Sequence, residues 1–179
     1  MKEISDENII TLMQNGTTYE RGFTLLMDKY QEPLYWLVRR MVNDHDDAND
    51  VTQNAFIKVF KGFSSYKGDA KLYTWLYRIA SNEAITFINQ KAKKGTTSLE
   101  EHPVAYSLSA NNYFDGDEIQ LLLKNAIAQL PDKQRLVFNM RYYEEMPYEE
   151  MSSVLETSVG ALKASFHHAV KKIEQSLKQ

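Results

Sequence analysis

The sequence of 179 residues contains no cysteine, only four prolines and only seven glycines. Without cysteine the chain has no disulfide framework, thiolate nucleophile or cysteine-based zinc site. A chain so poor in turn residues is more typical of helices than of a many-stranded sandwich or barrel. The sequence also lacks an apolar run near the roughly 20 residues that span a bilayer, and its start, MKEISDEN, lacks the order of a signal peptide. We therefore expect a soluble cytoplasmic protein.

Neither sign of charge dominates the chain, but the two signs are segregated along it. The 21 Lys and Arg and the 24 Asp and Glu leave a net charge of −3, which by itself argues against a general polyanion binder. Residues 43–50 hold four acids and no Lys or Arg, whereas residues 58–94 hold eight Lys or Arg and two acids. A second basic stretch at 158–179 follows an acidic one at 95–131. The pattern indicates two places for phosphates and a separate acidic surface for another partner, although each run also fits an ordinary solvated helix face.

Apolar residues recur at steps of three and four over most of the chain, which predicts an all-α protein. The stretch at 95–117 lacks this period and collects Gly, Ser, Thr, Asn and Pro. Its composition predicts a flexible linker between a helical domain at 1–94 and a second one at 118–179. In the second domain a short helix, a turn at 156–158 and a longer amphipathic helix form the pattern of a helix-turn-helix.

Two predicted helices carry polar faces suited to nucleic acid. The face made by Lys71, Trp75, Arg78 and Asn82 combines hydrogen-bond donors with a stacking surface, which suits phosphates and unstacked bases. An equally simple interpretation is that Trp75 packs at the core edge while the polar groups meet water. In the last helix, small and basic side chains share the solvent face, which permits close approach to base edges and pairing with phosphates. These side chains are Ala161, Lys163, Ala164, Ser165, His168, Lys171 and Lys172.

The acidic cluster around 44–50 is the feature that most suggests an enzyme or a metal site, and Asp46 is the expected N-cap of the helix it opens. A calcium loop starting at Asp44 needs glycine at its sixth position and glutamate at its twelfth, where this chain has Asn49 and Ala55. The adjacent histidines at 167–168 point about 100° apart on a helix, so they do not chelate one ion together. No nucleophile or glycine-rich phosphate loop stands out either. We therefore expect no catalytic residue, no cofactor and no metal.

Two long stretches resemble the sigma factors of bacterial RNA polymerase, specifically the compact extracytoplasmic-function (ECF) class. The first is DHDDANDVTQNAFIKVF followed by TWLYRIASNEAI, and the second is LPDKQRLVFNMRYYEEMPYEEMSSVLETSVGALKASFHHAVKKI. The family has two helical domains and a linker, so the resemblance covers nearly the whole chain. It implies a factor that binds core RNA polymerase, recognises promoter DNA and helps open it for transcription initiation.

The resemblance also implies which residues do this work. The acidic helix would bind the polymerase clamp helices through Asp47, Asp50, Val51, Gln53 and Phe56. The loop at 64–69 and the helix after it would open the minus-ten promoter element and hold an extruded base of the non-template strand. The residues assigned to this element are Lys67, Lys71, Tyr73, Trp75, Arg78 and Asn82. The helix at 158–172 would read the minus-thirty-five element through Ser158 and the small and basic residues of its solvent face.

The resemblance further implies a regulatory partner, an anti-sigma factor that is often membrane-anchored and occludes both domains. The chain departs from the family at Ser165, His168 and Val170, where arginines are frequent, and at Glu156, which replaces a usual turn glycine. Fewer phosphate contacts predict weak binding of the free protein to promoter duplex. The alternative is a free-standing helix-turn-helix regulator that binds palindromic duplex DNA as a dimer. Such a regulator leaves the acidic helix and the Trp75 face unexplained.

Overall fold

The computed structural model describes residues 4–42, 44–95 and 116–178. Throughout these ranges the regular structure is helical, which confirms the predicted all-α fold. The helices are α1 (Asp6–Gln14), α2 (Tyr19–Arg39), α3 (His45–Gly62), α4 (Leu72–Gly95), α5 (Gly116–Ala128), α6 (Asp132–Tyr142), α7 (Tyr148–Leu155) and α8 (Val159–Leu177), with a short 3-10 turn at Phe63–Ser65. The predicted linker at 95–117 lies outside the described residues except for its two ends, which belong to α4 and α5. Within the described ranges, no helix combines the length and the mean hydropathy of a membrane span.

The start of α3 differs from the prediction by two residues. The side chain of Asp44 accepts hydrogen bonds from the backbone N–H groups of Asp46 at 2.8 Å and Asp47 at 3.0 Å. Its backbone is extended, with φ −99° and ψ 145°, as an N-cap requires. Asp46 as the N-cap was therefore wrong. It lies in the first turn instead, where its carboxylate still interacts favourably with the helix dipole.

Helices α1 to α4 form the first domain around fully buried leucines on α2 and α4. Leu26, Leu34 and Leu76 are each 0% exposed, and α2 continues through Pro33 to its end at Arg39. Close approach of α1 to α2 depends on Gly22, because a Cβ there would lie 2.7 Å from Met13 Cγ. The loop and helix that carry the predicted minus-ten residues are thus supported by a packed core.

The second domain packs α5, α6 and α8 around a smaller cluster, and α7 and α8 form the predicted helix-turn-helix. The cluster consists of Ala126, Ile127, Leu130, Phe138, Ala169 and Ile173. The ring of Phe138 stacks on Phe166 of α8 at 5.7 Å with an interplanar angle of 12°. Glu156 ends α7 in the left-handed conformation, with φ 51°, and so turns the chain into α8.

The two domains are in contact. The main hydrophobic cluster is continuous from the first domain into α6, α7 and the start of α8, and includes Met140, Met151, Val154 and Leu162. Helix α7 lies against α4, and the amide of Asn139 on α6 donates to the backbone carbonyl of Arg40 at 3.1 Å. The face of α4 predicted to bind DNA therefore lies beside the helix-turn-helix.

Candidate functional site

The acidic helix α3 presents only part of its predicted residue set to solvent. Asp50 and Gln53 are exposed, whereas Val51 and Phe56 are 2% and 5% exposed and belong to the core. Asp47 accepts a hydrogen bond from the ammonium of Lys91 on α4 at 2.8 Å. As direct contacts of a partner protein, Val51 and Phe56 stay predictions: Val51 packs in the core, and Phe56, although nearly buried, lines a groove between α2 and α3.

Apolar residues that sequence analysis missed extend the exposed face of α3. Ile57 and Phe60 are 49% and 41% exposed, and exposed large hydrophobic side chains that lie next to each other are informative where single ones are not. Together with Asp50 and Gln53 they fall at steps of three, four and three, so all four share one helix face. Gln53, Ile57 and Phe60 line a groove of about 970 Å³ between α2 and α3, whose other wall includes Phe23. The step pattern was readable from the sequence, but exposure was needed to distinguish this face from the core face.

The loop before α4 is held by a cluster of aromatic rings around Trp75. The centroid of Trp75 lies 5.4 Å from that of Tyr66 and 5.9 Å from that of Phe63. The hydroxyl of Tyr66 donates to the carbonyl of Ala70 at 2.7 Å, which closes the loop. Gly68, with φ 81°, makes the turn that a side chain would strain. Trp75 is thus half-buried at the core edge and still reaches the surface beside the loop.

The cations on the Trp75 face are paired with acids of the second domain. The guanidinium of Arg78 donates to Glu156 Oε1 at 2.9 Å and to the carbonyl of Ser153 at 2.7 Å. The ammonium of Lys71 donates to Glu150 Oε1 at 2.8 Å. The remaining predicted members of this set are uncovered to different degrees: Lys67 and Asn82 are exposed and Tyr73 is half-buried.

A third polar group crosses the same domain boundary. Arg40 at the end of α2 forms an ion pair with Glu144, and the hydroxyl of Tyr77 on α4 donates to the other carboxylate oxygen of Glu144 at 3.1 Å. Burial raises the pKa of Tyr77 above its ordinary value, and the adjacent carboxylate raises that pKa further. Tyr77 therefore stays neutral and serves as a hydrogen-bond donor.

The solvent face of α8 is uncovered. Ser158 caps the helix by accepting a hydrogen bond from the N–H group of Ala161 at 3.3 Å, while Leu162 holds the opposite face in the core. The predicted DNA-binding residues Ser158, Ala161, Lys163, Ala164, His168, Lys171 and Lys172 are exposed, and Ser165 is half-buried. The ammonium of Lys163 lies 5.7 Å from the ring centroid of Tyr148. The structure therefore leaves these predicted residues fully or partly accessible, with Lys163 on the flank of α8 next to Tyr148 and apart from Ala161 and Ser165.

Comparison with protein families gives two matches in the order of the two predicted halves. Residues 26–94 match the family model Sigma-70 region 2, and residues 120–173 match Sigma-70, region 4. Over 182 residues the chain is 30% identical to the RNA polymerase sigma-H factor of Pseudomonas aeruginosa, with 96% of this chain and 93% of that protein covered. It is 26% identical to the ECF RNA polymerase sigma-E factor of Escherichia coli K12, with 98% and 96% covered.

Two solved structures share the fold. One is the sigma factor RpoE in complex with the anti-sigma factor NepR from Bartonella quintana, with a TM-score of 0.69, 19% identity, and coverage of 87% of this chain and 96% of that one. The other is CnrH in complex with the cytosolic domain of CnrY, with a TM-score of 0.69, 19% identity, and coverage of 97% and 98%. The similarity spans both halves of the chain. It therefore includes the acidic helix and the Trp75 face, which the alternative of a free-standing regulator does not explain.

Proposed function

Because the chain belongs to the extracytoplasmic-function sigma factors of bacterial RNA polymerase, we propose that it carries out promoter recognition and opening through three separate surfaces. As a sigma factor it is a transcription initiation factor rather than an enzyme: it binds core RNA polymerase, recognises promoter DNA and helps to open it. We assign residues 1–94 to polymerase binding and the minus-ten element, 95–117 to a linker, and 118–179 to the minus-thirty-five element.

The polymerase-binding surface is the exposed face of α3 that carries Asp50, Gln53, Ile57 and Phe60. An acidic rim repels DNA and attracts a basic protein surface, and exposed apolar side chains gain free energy when a partner covers them. Asp47 borders this face, while Val51 and Phe56 hold it from inside the core. The observation that carries this assignment is the joint exposure of acids and large apolar groups beside the groove between α2 and α3.

The minus-ten surface is the face of α4 together with the loop at 64–69. Extruding a base costs a few kcal/mol of unstacking, and stacking on an aromatic side chain returns about 1 to 3 kcal/mol per base. Trp75 offers such a side chain, and Lys71, Arg78 and Asn82 share its face with donors. Lys67 lies in the preceding loop, and Tyr73 lies on another face of α4. The minus-thirty-five surface is the solvent face of α8, where small side chains at Ala161 and Ala164 leave room for base edges.

An anti-sigma factor is the further partner we propose, and we place the chain in the cytoplasm with the polymerase. Support comes from the two structural neighbours, each of which was solved in a complex, one of them with an anti-sigma factor. A partner that covers both the α3 face and the α8 face would block polymerase and promoter binding together.

Size-exclusion chromatography of the full chain with core RNA polymerase, at physiological salt and without DNA, tests the proposed function. We expect co-elution at one-to-one stoichiometry. Asp50→Lys should weaken the complex by about 30-fold or more, because losing one partner of a close interfacial charge pair costs about 2 kcal/mol or more. Ile57→Ser should weaken it as well, since the side chain is half-exposed and its loss leaves the fold intact.

The matched control for charge reversal is Glu174→Lys, because Glu174 is an exposed acid on α8, outside the α3 face. This variant should co-elute like the wild type. If Asp50→Lys co-eluted fully with the polymerase, the α3 face would not be the polymerase-binding surface. Absence of any complex between the wild-type chain and an active core enzyme would contradict the function itself.

A further inference from the structure

The loop before α4 has an exposed tip at 67–69 that makes few contacts of its own. Lys67, Gly68 and Asp69 are all exposed, and none of them forms a hydrogen bond or an ion pair with another residue of the described ranges. A Cβ at Gly68 would meet open space, so the turn depends on the backbone conformation and not on packing. Ordering such residues on a ligand costs conformational entropy. How the two ends of the tip are held therefore decides how much of that cost is left for a ligand.

Tyr66 holds both ends of this tip. Before the tip, its backbone N–H donates to the carbonyl of Phe63 at 2.9 Å. After the tip, its hydroxyl donates to the carbonyl of Ala70 at 2.7 Å, two residues before α4 begins at Leu72. Burial raises the pKa of Tyr66 above its ordinary value, and the carboxylate of Asp6 raises that pKa further, so the hydroxyl stays protonated. No other hydrogen bond of the described residues joins the two sides of the tip.

The ring of Tyr66 fixes where the tip lies relative to Trp75. Its centroid is 5.4 Å from that of Trp75 and 5.7 Å from that of Phe63, which is 3% exposed and belongs to the core. Lys67 is the next residue along the chain. The side chain that packs on Trp75 therefore also sets the start of the segment that carries this cation, and its hydroxyl sets the end of that segment.

We propose that Tyr66 is a positioning residue of the minus-ten surface, whose hydroxyl holds the tip at 67–69 in one conformation beside Trp75. The inference rests on the proposed function, since it takes the loop and the α4 face as the surface that binds the non-template strand. Tyr66 acts through the loop and needs no contact with DNA. Because the tip is already ordered, the strand binds it without the entropy cost that an unbridged loop would add.

Tyr66→Phe tests the bridge, because it removes the hydroxyl and keeps the ring against Trp75 and Phe63. Backbone NMR relaxation of the free full chain reads the consequence without polymerase or DNA. In the wild type the amides of 67–69 should have order parameters of about 0.85, as rigid backbone does, and in Tyr66→Phe they should fall below about 0.6. The amide of Trp75, inside α4, should stay rigid in both proteins. Equal order parameters of the tip in the two proteins would overturn the proposal.

The matched control is Tyr19→Phe. Tyr19 is half-buried like Tyr66, and its hydroxyl likewise donates to a backbone carbonyl, that of Phe60. Losing one such hydrogen bond should lower the Tm of both variants to a similar extent. The order parameters at 67–69 should nevertheless match the wild type in Tyr19→Phe. If the control loosened the tip as much as Tyr66→Phe did, the effect would be general destabilisation, and the positioning role would be contradicted.

Gly68→Ala disturbs the tip by a second route and leaves the Tyr66 hydroxyl in place. With φ 81° at Gly68, an alanine strains the turn even though the space beside it is open. This variant should weaken strand binding as Tyr66→Phe does. In the double variant the loss should be smaller than the product of the two single losses, because both substitutions remove the same ordered conformation. Fully multiplicative losses would contradict a shared route.

Strand binding by the complex with core polymerase completes the test. The probe is a fluorescent single-stranded oligonucleotide that the wild-type complex selects from a random pool and that the Trp75→Ala complex does not bind. Tyr66→Phe should bind it about three- to tenfold more weakly, with unchanged affinity for the polymerase. Equal affinities for the oligonucleotide would overturn the positioning role. Absence of a polymerase complex would contradict the proposed function instead, and the relaxation measurement on the free chain is independent of it.

Discussion

The two helices assigned to DNA differ in what surrounds their cations. On α4, Lys71 and Arg78 are paired with acids of the other domain, and Trp75 is packed against two further rings. On α8, none of the described acids pairs with Lys163, and the face around it is open. Both helices have the composition of a DNA-binding face. This difference shows that the accessibility of the cations on each helix depends on the neighbouring domain and not on the helix itself.

The packing beneath the two faces is also unequal. The α4 face lies on the main cluster, which is continuous across both domains, whereas the far side of α8 is shared between that cluster and the smaller one around Phe138. A shared core links the stability of the two domains. Variants that remove buried atoms on either side of the boundary therefore distinguish one cooperative unit from two independent ones.

The largest expected effect comes from emptying the shared core beneath each face. Leu76 and Leu162 are 0% and 1% exposed, and Leu76→Ala or Leu162→Ala should each lower the free energy of unfolding by about 2 to 5 kcal/mol. Both tryptophans, Trp36 and Trp75, lie in the first domain. Leu162→Ala, although made in the second domain, should therefore shift the urea transition seen by tryptophan fluorescence as well as that seen by circular dichroism. A tryptophan transition unmoved by Leu162→Ala would show that the domains unfold independently.

The sequence was sufficient for the parts of this comparison that depend on local pattern. Period-3.6 apolar spacing predicted the helices, and the turn at 156–158 matched the observed start of α8 at Val159. Capping was less predictable, because several acids in NDHDDAND offer a suitable side chain and only the backbone conformation selects Asp44. The buried position of Phe56 was likewise hidden, since a helix with acids and aromatics on several faces does not reveal which of them meet the core.

The contacts that cover α4 were beyond sequence reasoning for a different reason. Lys71 and Glu150 are 79 residues apart, and Arg78 and Glu156 are 78 apart, so no local rule relates them. The family resemblance marked Glu156 as an exception, a glutamate at a turn position where glycine is usual. It did not indicate the partner, because that partner is set by how the second domain lies on the first.

A smaller effect, on the salt dependence of DNA binding, distinguishes a lysine that forms an ion pair from one that does not. Each phosphate contact contributes about 0.9 to the slope of log affinity against log salt on duplex DNA. In the free chain Lys163→Ala should lower that slope by about this amount, because its ammonium is accessible. Lys71→Ala should lower the slope by less, because its ammonium, although largely exposed, is paired with Glu150.

Fluorescence anisotropy with a duplex of arbitrary sequence suffices for this measurement, since phosphate contacts do not depend on sequence. Lys133→Ala, which removes the same positive charge from an exposed lysine on α6 outside both predicted DNA-binding sets, controls for the change in net charge. If both lysine variants lowered the slope equally, the α4 face would be as accessible as the α8 face, and the contrast would fail.

The smallest effect concerns the caps of the two helices that face the proposed partners. Asp44 caps α3 with a carboxylate, and Ser158 caps α8 with a hydroxyl that does not titrate. The N–H groups of Asp47 and Asp46 lower the pKa of Asp44 below its ordinary value. Its stabilisation is therefore complete above the ordinary aspartate pKa of about 3.9 and is lost as pH falls through the lower, folded-state pKa.

Urea midpoints of the wild type, Asp44→Asn and Ser158→Ala, followed from neutral pH into this acid range, separate the two caps. Asparagine still accepts the capping hydrogen bonds but does not titrate, so the advantage of the wild type over Asp44→Asn should shrink in acid. Ser158→Ala should cost about 1 kcal/mol at every pH, because it removes a neutral acceptor. A constant difference between the wild type and Asp44→Asn would mean that the cap acts through geometry alone. The start of the acidic helix would then depend on pH no more than the start of the α8 helix does.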